Sequence, residues 1–403
     1  MLQTYKSKIS LFSRNAKFLI CSELLSATGM TFWTLLFNLY LKSLGHSREE
    51  IGNTLLCGNL AIAFAALPFA FLSNRHRYYR LMGLGQIFGL FFFFLSIFLT
   101  SKTDIRFCLF FAFALATASR ILTSPFIMEN SEAVSRTYLF SMHSIAGFVG
   151  GMLGHLLAGT SADFVTSFFH LRSIESYRVA MFIGLSLNFV GAALFISSVR
   201  APKKMIKSYD ISFSFFKNLD WTYFGKVIIP SNLIALGAGL IVQFLNLYLK
   251  DVFHASDSFI GIVMSLQSAG VMLALFVAPV IAEKIGKVKA VTFFYSLSIP
   301  FMIGLAFMTN LYWGSFFVIM RAALMNMANP ISNSITQELC PPSNRTFLAA
   351  LNTIFWALSW ALAAFLYGTV FKGNYKLCFL VASGLYILAT LIFFAFFKKH
   401  DPK

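Results

Sequence analysis

"FNLYLKSLGHSREEIG" occupies Phe37 to Gly52, and "LNLYLKDVFHASDSFIG" occupies Leu245 to Gly261. Asn38, Tyr40, Lys42 and His46 of the first phrase recur as Asn246, Tyr248, Lys250 and His254, each 208 residues later (246 − 38). A second pair of phrases keeps almost the same interval: "SRTYLFS" (Ser135 to Ser141) returns as "NRTFLAA" (Asn344 to Ala350), 209 residues on. Two intervals that agree over such distances read as an internal duplication, so the chain is expected to consist of two related halves.

Composition sets the medium of those halves. Of 403 residues 58% are apolar, 49 are Phe and only 12% are charged, about half the charged share of a soluble domain (about 25%). Twelve apolar stretches are long enough to cross about 30 Å of hydrocarbon as helices. They lie near residues 18–42, 51–73, 81–100, 106–128, 138–160, 178–199, 225–249, 259–281, 290–309, 311–334, 346–371 and 377–397. The fold class expected is therefore an all-α membrane protein of twelve transmembrane helices in two six-helix bundles. The first bundle takes residues 1–199, a basic linker 200–224, and the second bundle 225–403. The repeated phrase closes the first helix of each half and enters the second.

The formal net charge of +17 does not point to nucleic acid, because the basic residues sit in short clusters between apolar runs and form no aromatic-studded face. Those clusters concentrate in alternate loops, which by the positive-inside rule places both termini in the cytoplasm of a cell (inner) membrane. The basic start "MLQTYKSKISLFSRNAK" is followed by an apolar run too long for a signal-peptide core, so it is expected to stay attached. Cys21, Cys57, Cys108, Cys340 and Cys378 have no ligand spacing, which argues against a disulfide framework and a metal site. "GLGQIFG" (Gly83 to Gly89) follows no strand and lies within an apolar stretch, so it is not a nucleotide fingerprint. With no Walker motif and no nucleophile beside a base, neither an enzyme nor a cofactor is expected.

The loop signature "EKIGK", Glu283 to Lys287, resembles the acidic-basic-x-Gly-basic motif of the major facilitator superfamily, and with the two six-helix halves the resemblance covers essentially the whole chain. In the first half the corresponding "SNRHRYYR" (Ser73 to Arg80) departs from that motif, with Asn74 where Asp is usual and Arg77 where Gly is usual. The resemblance implies a gating loop formed by Asn74, Arg75, Glu283, Lys284, Gly286 and Lys287. It also implies two bundles that rock about one midplane cavity, opening alternately to each side.

The residues supply walls for such a cavity. Polar stripes at helical spacing run through Glu23, Ser26, Thr31, Thr34 and Asn38, through Asn232, Gly239, Gln243 and Asn246, through Arg321, Asn329 and Ser332, and through Asn352 and Ser359 beside Trp356 and Trp360. For any one of them, gluing helices together is at least as good a reading as binding. Glu23, Arg120 and Arg321 are costlier to place in hydrocarbon, at about 2.5–3.5 kcal/mol each at a helix centre. Glu23, the one carboxylate well inside a stretch, and Arg120 are expected to meet and to carry proton coupling, with His143 and His155 as candidate relay members or packing residues. A guanidinium from each half favours an anionic or zwitterionic substrate. Its expected contacts are Asn38, Arg120, Gln243, Asn246, Arg321, Asn329, Asn352 and Trp356. Gly147, Gly150, Gly151 and Gly154 form interleaved small-xxx-small pairs, read as a close helix contact.

The expectation is thus a proton-coupled secondary transporter of a small amphiphilic organic solute, a monomer whose partners are protons, the solute and the lipid bilayer. Two alternatives remain open: a multidrug exporter in which Glu23 attracts lipophilic cations, and a lipid flippase.

Overall fold

The computed structural model describes residues 11–72, 78–131, 133–199, 221–340 and 345–400. Among them every regular element is helical. Numbered by span, they are α1 (Arg14–Ser43), α2 (Arg48–Leu72), α3 (Tyr78–Ser96), α4 (Lys102–Glu129), α5 (Ala133–Phe169) and α6 (Ser173–Ser198). Then follow α7a (Trp221–Val242), α7b (Leu245–Phe253), α8 (Asp257–Ile285), α9 (Lys287–Leu305), α10 (Leu311–Leu339), α11 (Arg345–Phe365) and α12 (Tyr375–Phe397). Among the described residues twelve helices are long and apolar enough to cross a membrane, as the stretches predict.

The helix ends follow local chemistry. Ser13, Ser256, Asn310 and Asn374 cap α1, α8, α10 and α12, each side chain accepting from a backbone N–H of the first turn, which satisfies donors that no helical carbonyl reaches. Gly286 turns the chain between α8 and α9 at φ 96°, a backbone region that strains any residue with a Cβ. The glycine of the "EKIGK" phrase is thereby explained by the corner it makes.

Two departures from the expected spans are tertiary in origin. The seventh span is broken at Gln243 and Phe244: the Phe244 ring stacks on Tyr367 at 3.5 Å, and the Gln243 amide donates to the carbonyls of Gly239 and Trp360. The eleventh span ends in a π-helical turn, Leu366–Val370, where Gly368 packs against the backbone of Glu49. Such turns relax the helical ladder at a crowded contact. The seventh span also begins at Trp221, inside the segment expected to be linker.

The chain forms two compact units, Met1–Leu44 with Leu60–Asp210 and Gly45–Asn59 with Ile211–Lys403. The first half of α2 therefore packs with the second unit. There Arg48 donates to the Gly373 carbonyl (2.6 Å) and to Asp251 (3.2 Å), while Tyr375 donates to the same carboxylate at 2.8 Å.

The duplication is visible atom by atom within each unit. Tyr40 donates its hydroxyl hydrogen to the Ile97 carbonyl at 2.8 Å, and Tyr248 does the same to the Leu305 carbonyl at 2.8 Å. Both bonds span 57 residues and tie the end of the first span of a half to the end of the third. The helix-one to helix-five contact is repeated as well. In the first unit a Cβ on Gly154 would lie 2.6 Å from Thr31 Cβ; in the second, one on Gly239 would lie 2.7 Å from Ala363 Cβ. Those are the same two positions, 31 with 239 and 154 with 363, with the glycine moved to the opposite helix. Close approach is kept because one partner at each crossing lacks a side chain. The glycine pairs of α5 are thus helix contacts: Gly150 and Gly154 lie directly against α1.

Candidate functional site

In the first unit Glu23, on α1, finds its near partner on α5: Glu23 Oε2 lies 3.4 Å from His143 Nε2. Gly147, one turn along from His143, leaves room for the carboxylate, since a Cβ there would sit 3.2 Å from Glu23 Oε1. Arg120 lies well inside α4, and Glu23 is the charge that acts on it without the two reaching ion-pair distance. Glu23, His143 and Arg120 bring a carboxyl, an imidazole and a guanidinium from three helices of the first unit. Sequence spacing alone left His143 without a partner, because nothing in it fixes the rotation of α5 against α1. His155 lies further along α5, outside that contact.

Other residues of the first polar stripe serve the helices. Ser26 accepts from Gln86, which also donates to Asn188; Thr31 and Thr34 donate back to carbonyls of α1. Asn38 is buried.

The second unit contains a cavity of about 430 Å³ between α7a, α9, α10, α11 and α12. Asn329, Asn352 and Trp356, three of the expected binding residues, line it. Ser231, Ser332, Asn333, Thr336 and Thr353 add hydroxyls and an amide; Tyr295 and Phe393 add rings. Ser231 donates to Asn352 Oδ1 at 2.9 Å. The polar spots fall beside Pro230, within α7a, and close to Pro330, within α10. A proline removes one ladder donor, so irregularity here is tolerated where the helix faces a polar space.

The remaining expected contacts lie elsewhere. Gln243 is tied up by Trp360, Gly239 and Asn59, whose amide donates to it at 2.8 Å; Asn246 is buried and accepts from the Leu247 N–H. Arg321 is buried and hydrogen-bonded to Tyr386, with one Nη lacking a partner among the described residues, and it is not part of the cavity wall. Glu283, Lys284 and Lys287 are exposed around the Gly286 corner, and Asn74 and Arg75 lie outside the described residues.

The two sites occupy equivalent positions. Glu23 corresponds to Ser231 (231 − 23 = 208), His143 to Asn352 (352 − 143 = 209) and Arg120 to Asn329 (329 − 120 = 209). The helix caps Ser101 and Asn310 hold the same 209 interval for α4 and α10. The carboxyl–imidazole contact of one half is therefore the hydroxyl–amide hydrogen bond of the other.

This duplicated twelve-helix architecture agrees with the family comparison. The model of the Major Facilitator Superfamily matches residues 19–364 and again 227–403. The chain belongs to the Major Facilitator Superfamily. Solved superfamily structures share the fold: the nucleoside transporter NupG (TM-score 0.75, 15% identity, covering 96% of this chain and 100% of that one) and a D-xylose-proton symporter (0.74, 13%, 97% and 98%). A bacterial homologue of the human lysosomal transporter Spinster is similar as well (0.72, 13%, 97% and 96%). No curated protein matches the chain. As a superfamily member it is a multi-pass membrane protein of the transporter class.

Proposed function

We propose that this superfamily member is a proton-coupled secondary transporter of a small organic solute that carries an anionic group, working by alternating access. The observation that supports it most directly is the 3.4 Å contact of Glu23 with His143, with the Arg120 guanidinium within electrostatic reach of Glu23. Ionisable groups within membrane-spanning helices are costly and are kept where a proton or ion must be carried. With Glu23 ionised, His143 neutral and Arg120 charged, the group is neutral overall. Adding one proton to the Glu23–His143 pair leaves it with one positive charge. A single anionic group on Arg120 restores neutrality, so proton and anion favour each other's binding. Arg120 is suited to this because it stays charged and presents a forked donor to a carboxylate or phosphate. Arg321 has a different surrounding, against Tyr386, so the anion reading rests on Arg120.

Proton-driven transport has a precedent on this fold in the D-xylose-proton symporter. The test is reconstitution in liposomes. Glu23→Gln is expected to abolish accumulation driven by a pH gradient while leaving solute exchange measurable, and Arg120→Ala to remove competition by anions. Gradient-driven uptake that survives Glu23→Gln would take Glu23 out of the mechanism.

A further inference from the structure

We infer that the cavity of the second unit is a binding site for an uncharged, hydrogen-bonding group with a flat face, such as a primary amide, a sugar ring or a nucleobase. The inference rests on the transport reading and deepens it by naming what this half recognises. Three observations carry it. First, none of the described residues around the 430 Å³ space carries a charge, although the volume lies in the range of small-molecule sites, about 300–1,000 Å³. A charged group entering such a wall would lose its hydration without a counter-charge, whereas amides and hydroxyls can replace water's hydrogen bonds to a neutral polar group. Second, Asn329, Asn352 and Ser231 stand where the first unit has Arg120, His143 and Glu23. Each ionisable group of that set is replaced by one that both donates and accepts, or by a hydroxyl, and none by an alkyl side chain. Polarity has been kept and charge removed at all three positions together.

Third, Trp356 lines the cavity at the position equivalent to Gly147 (356 − 147 = 209). In the first unit that position leaves room for the Glu23 carboxylate. In the second it supplies an indole, with Tyr295 and Phe393 elsewhere in the wall. A flat ring among hydrogen-bonding side chains suits a planar or ring-shaped ligand, whose face stacks while its edge is read by the amides. Ser231 and Asn352 hold each other at 2.9 Å. The Asn352 carbonyl oxygen is thus fixed by the serine, which orients its amide N–H donors.

The test uses the full-length protein carrying Arg120→Ala, so that the anion contact proposed for the first unit is absent, in lipid nanodiscs without any pH gradient, measuring binding by calorimetry and by protection against thermal unfolding. The probes are matched pairs in which one member carries an added or exchanged anionic group: nicotinamide and nicotinate, methyl glucoside and glucuronate, uridine and uridine monophosphate. At least one neutral member is expected to bind, and more tightly than its charged partner by about tenfold or more, in keeping with the cost of leaving a charge unpaired. Asn352→Ala and Trp356→Ala are expected to weaken that binding by about tenfold each, with the folded state checked by size exclusion. Asn329→Arg, which restores the first unit's residue, is expected to shift preference toward the anionic partner. Binding that is equal for both members of every pair, stronger for the anions, absent for all neutral probes, or untouched by Asn352→Ala and Trp356→Ala would overturn the inference. Failure of proton coupling would look different: Glu23→Gln would still accumulate solute, while neutral binding and its loss in the Asn352 and Trp356 variants would persist.

Discussion

The contact between α1 and α5 and the contact between α7a and α11 are the same crossing in two copies of one fold, yet they hold opposite chemistry. In the first, glycines 147, 150 and 154 let the helices close around Glu23 and His143. In the second, Gly239 alone provides the close approach, Trp356 fills the place of Gly147, and Ser231 bonds Asn352 beside a polar cavity. The backbone contact survives by moving a glycine across it, from position 154 to the equivalent of 31. What differs is which helix gives up its side chains. A helix stripped to glycine along its face makes room for ionisable groups of its partner, whereas one that keeps Asn and Trp offers a wall for a ligand. Duplication thus supplies two geometries of one kind, and in the function proposed above a few substitutions divide proton handling from recognition.

The sharpest way to break that comparison is to exchange chemistry between equivalent positions. Glu23→Ser, which copies the second half, is expected to reduce gradient-driven accumulation in liposomes to the level of protein-free vesicles. Ser231→Ala, at the equivalent site, is expected to preserve accumulation and weaken apparent substrate affinity severalfold, because it removes the hydroxyl that orients Asn352. Loss of coupling in both variants would mean that the halves share the proton work. Equal loss of affinity in both, with coupling intact, would reverse the assignment.

A second prediction concerns the crossings themselves. A Cβ on Gly154 would fall 2.4 Å from the Thr28 carbonyl oxygen, and one on Gly239 2.7 Å from Ala363 Cβ. Gly154→Leu meets backbone that cannot yield, while Gly239→Leu first meets a methyl group. Both are expected to lower the monodisperse yield after extraction, Gly154→Leu more, with overpacking costs of about 1–3 kcal/mol or above. If the Gly239 variant were the more damaged, the two crossings would not be equivalent.

These residues also show what the sequence could and could not reveal. The repeated Asn-x-Tyr phrase announced the duplication, because a motif kept at one interval needs no three-dimensional knowledge to read. Glu23 and Arg120 stood out because charge in a long apolar run is expensive wherever it points. The partner of Glu23 was hidden, since which face of α5 meets α1 depends on glycine packing across helices, although the 209-residue interval does connect His143 with Asn352. Arg321 shows a related point: sharing a helix pair with Arg120 is not sharing a position, and its equivalent is Ala112 (321 − 209). The break at Gln243 left no local signal at all, as it is made by Tyr367 and Trp360, more than a hundred residues away.

The smallest expected difference lies in the repeated phrase itself. Tyr40 and Tyr248 are both buried and both donate to the carbonyl 57 residues on. Tyr40 has a further partner: Arg178 donates to its hydroxyl oxygen through Nε at 3.3 Å and Nη2 at 3.2 Å, and to the Ile97 carbonyl at 2.9 Å. Tyr248→Phe deletes one neutral hydrogen bond, a loss of about 0.5–1.5 kcal/mol. Tyr40→Phe deletes the matching bond and also strips a charged donor of one acceptor, a loss of about 1.5–3 kcal/mol by the usual worth of bonds to charged groups. Thermal unfolding in lipid nanodiscs should therefore place Tyr40→Phe below Tyr248→Phe, and the gap should close in an Arg178→Leu background. A gap that persists without Arg178 would mean that the two tyrosines differ in packing, and the symmetry of the two halves would end at the backbone.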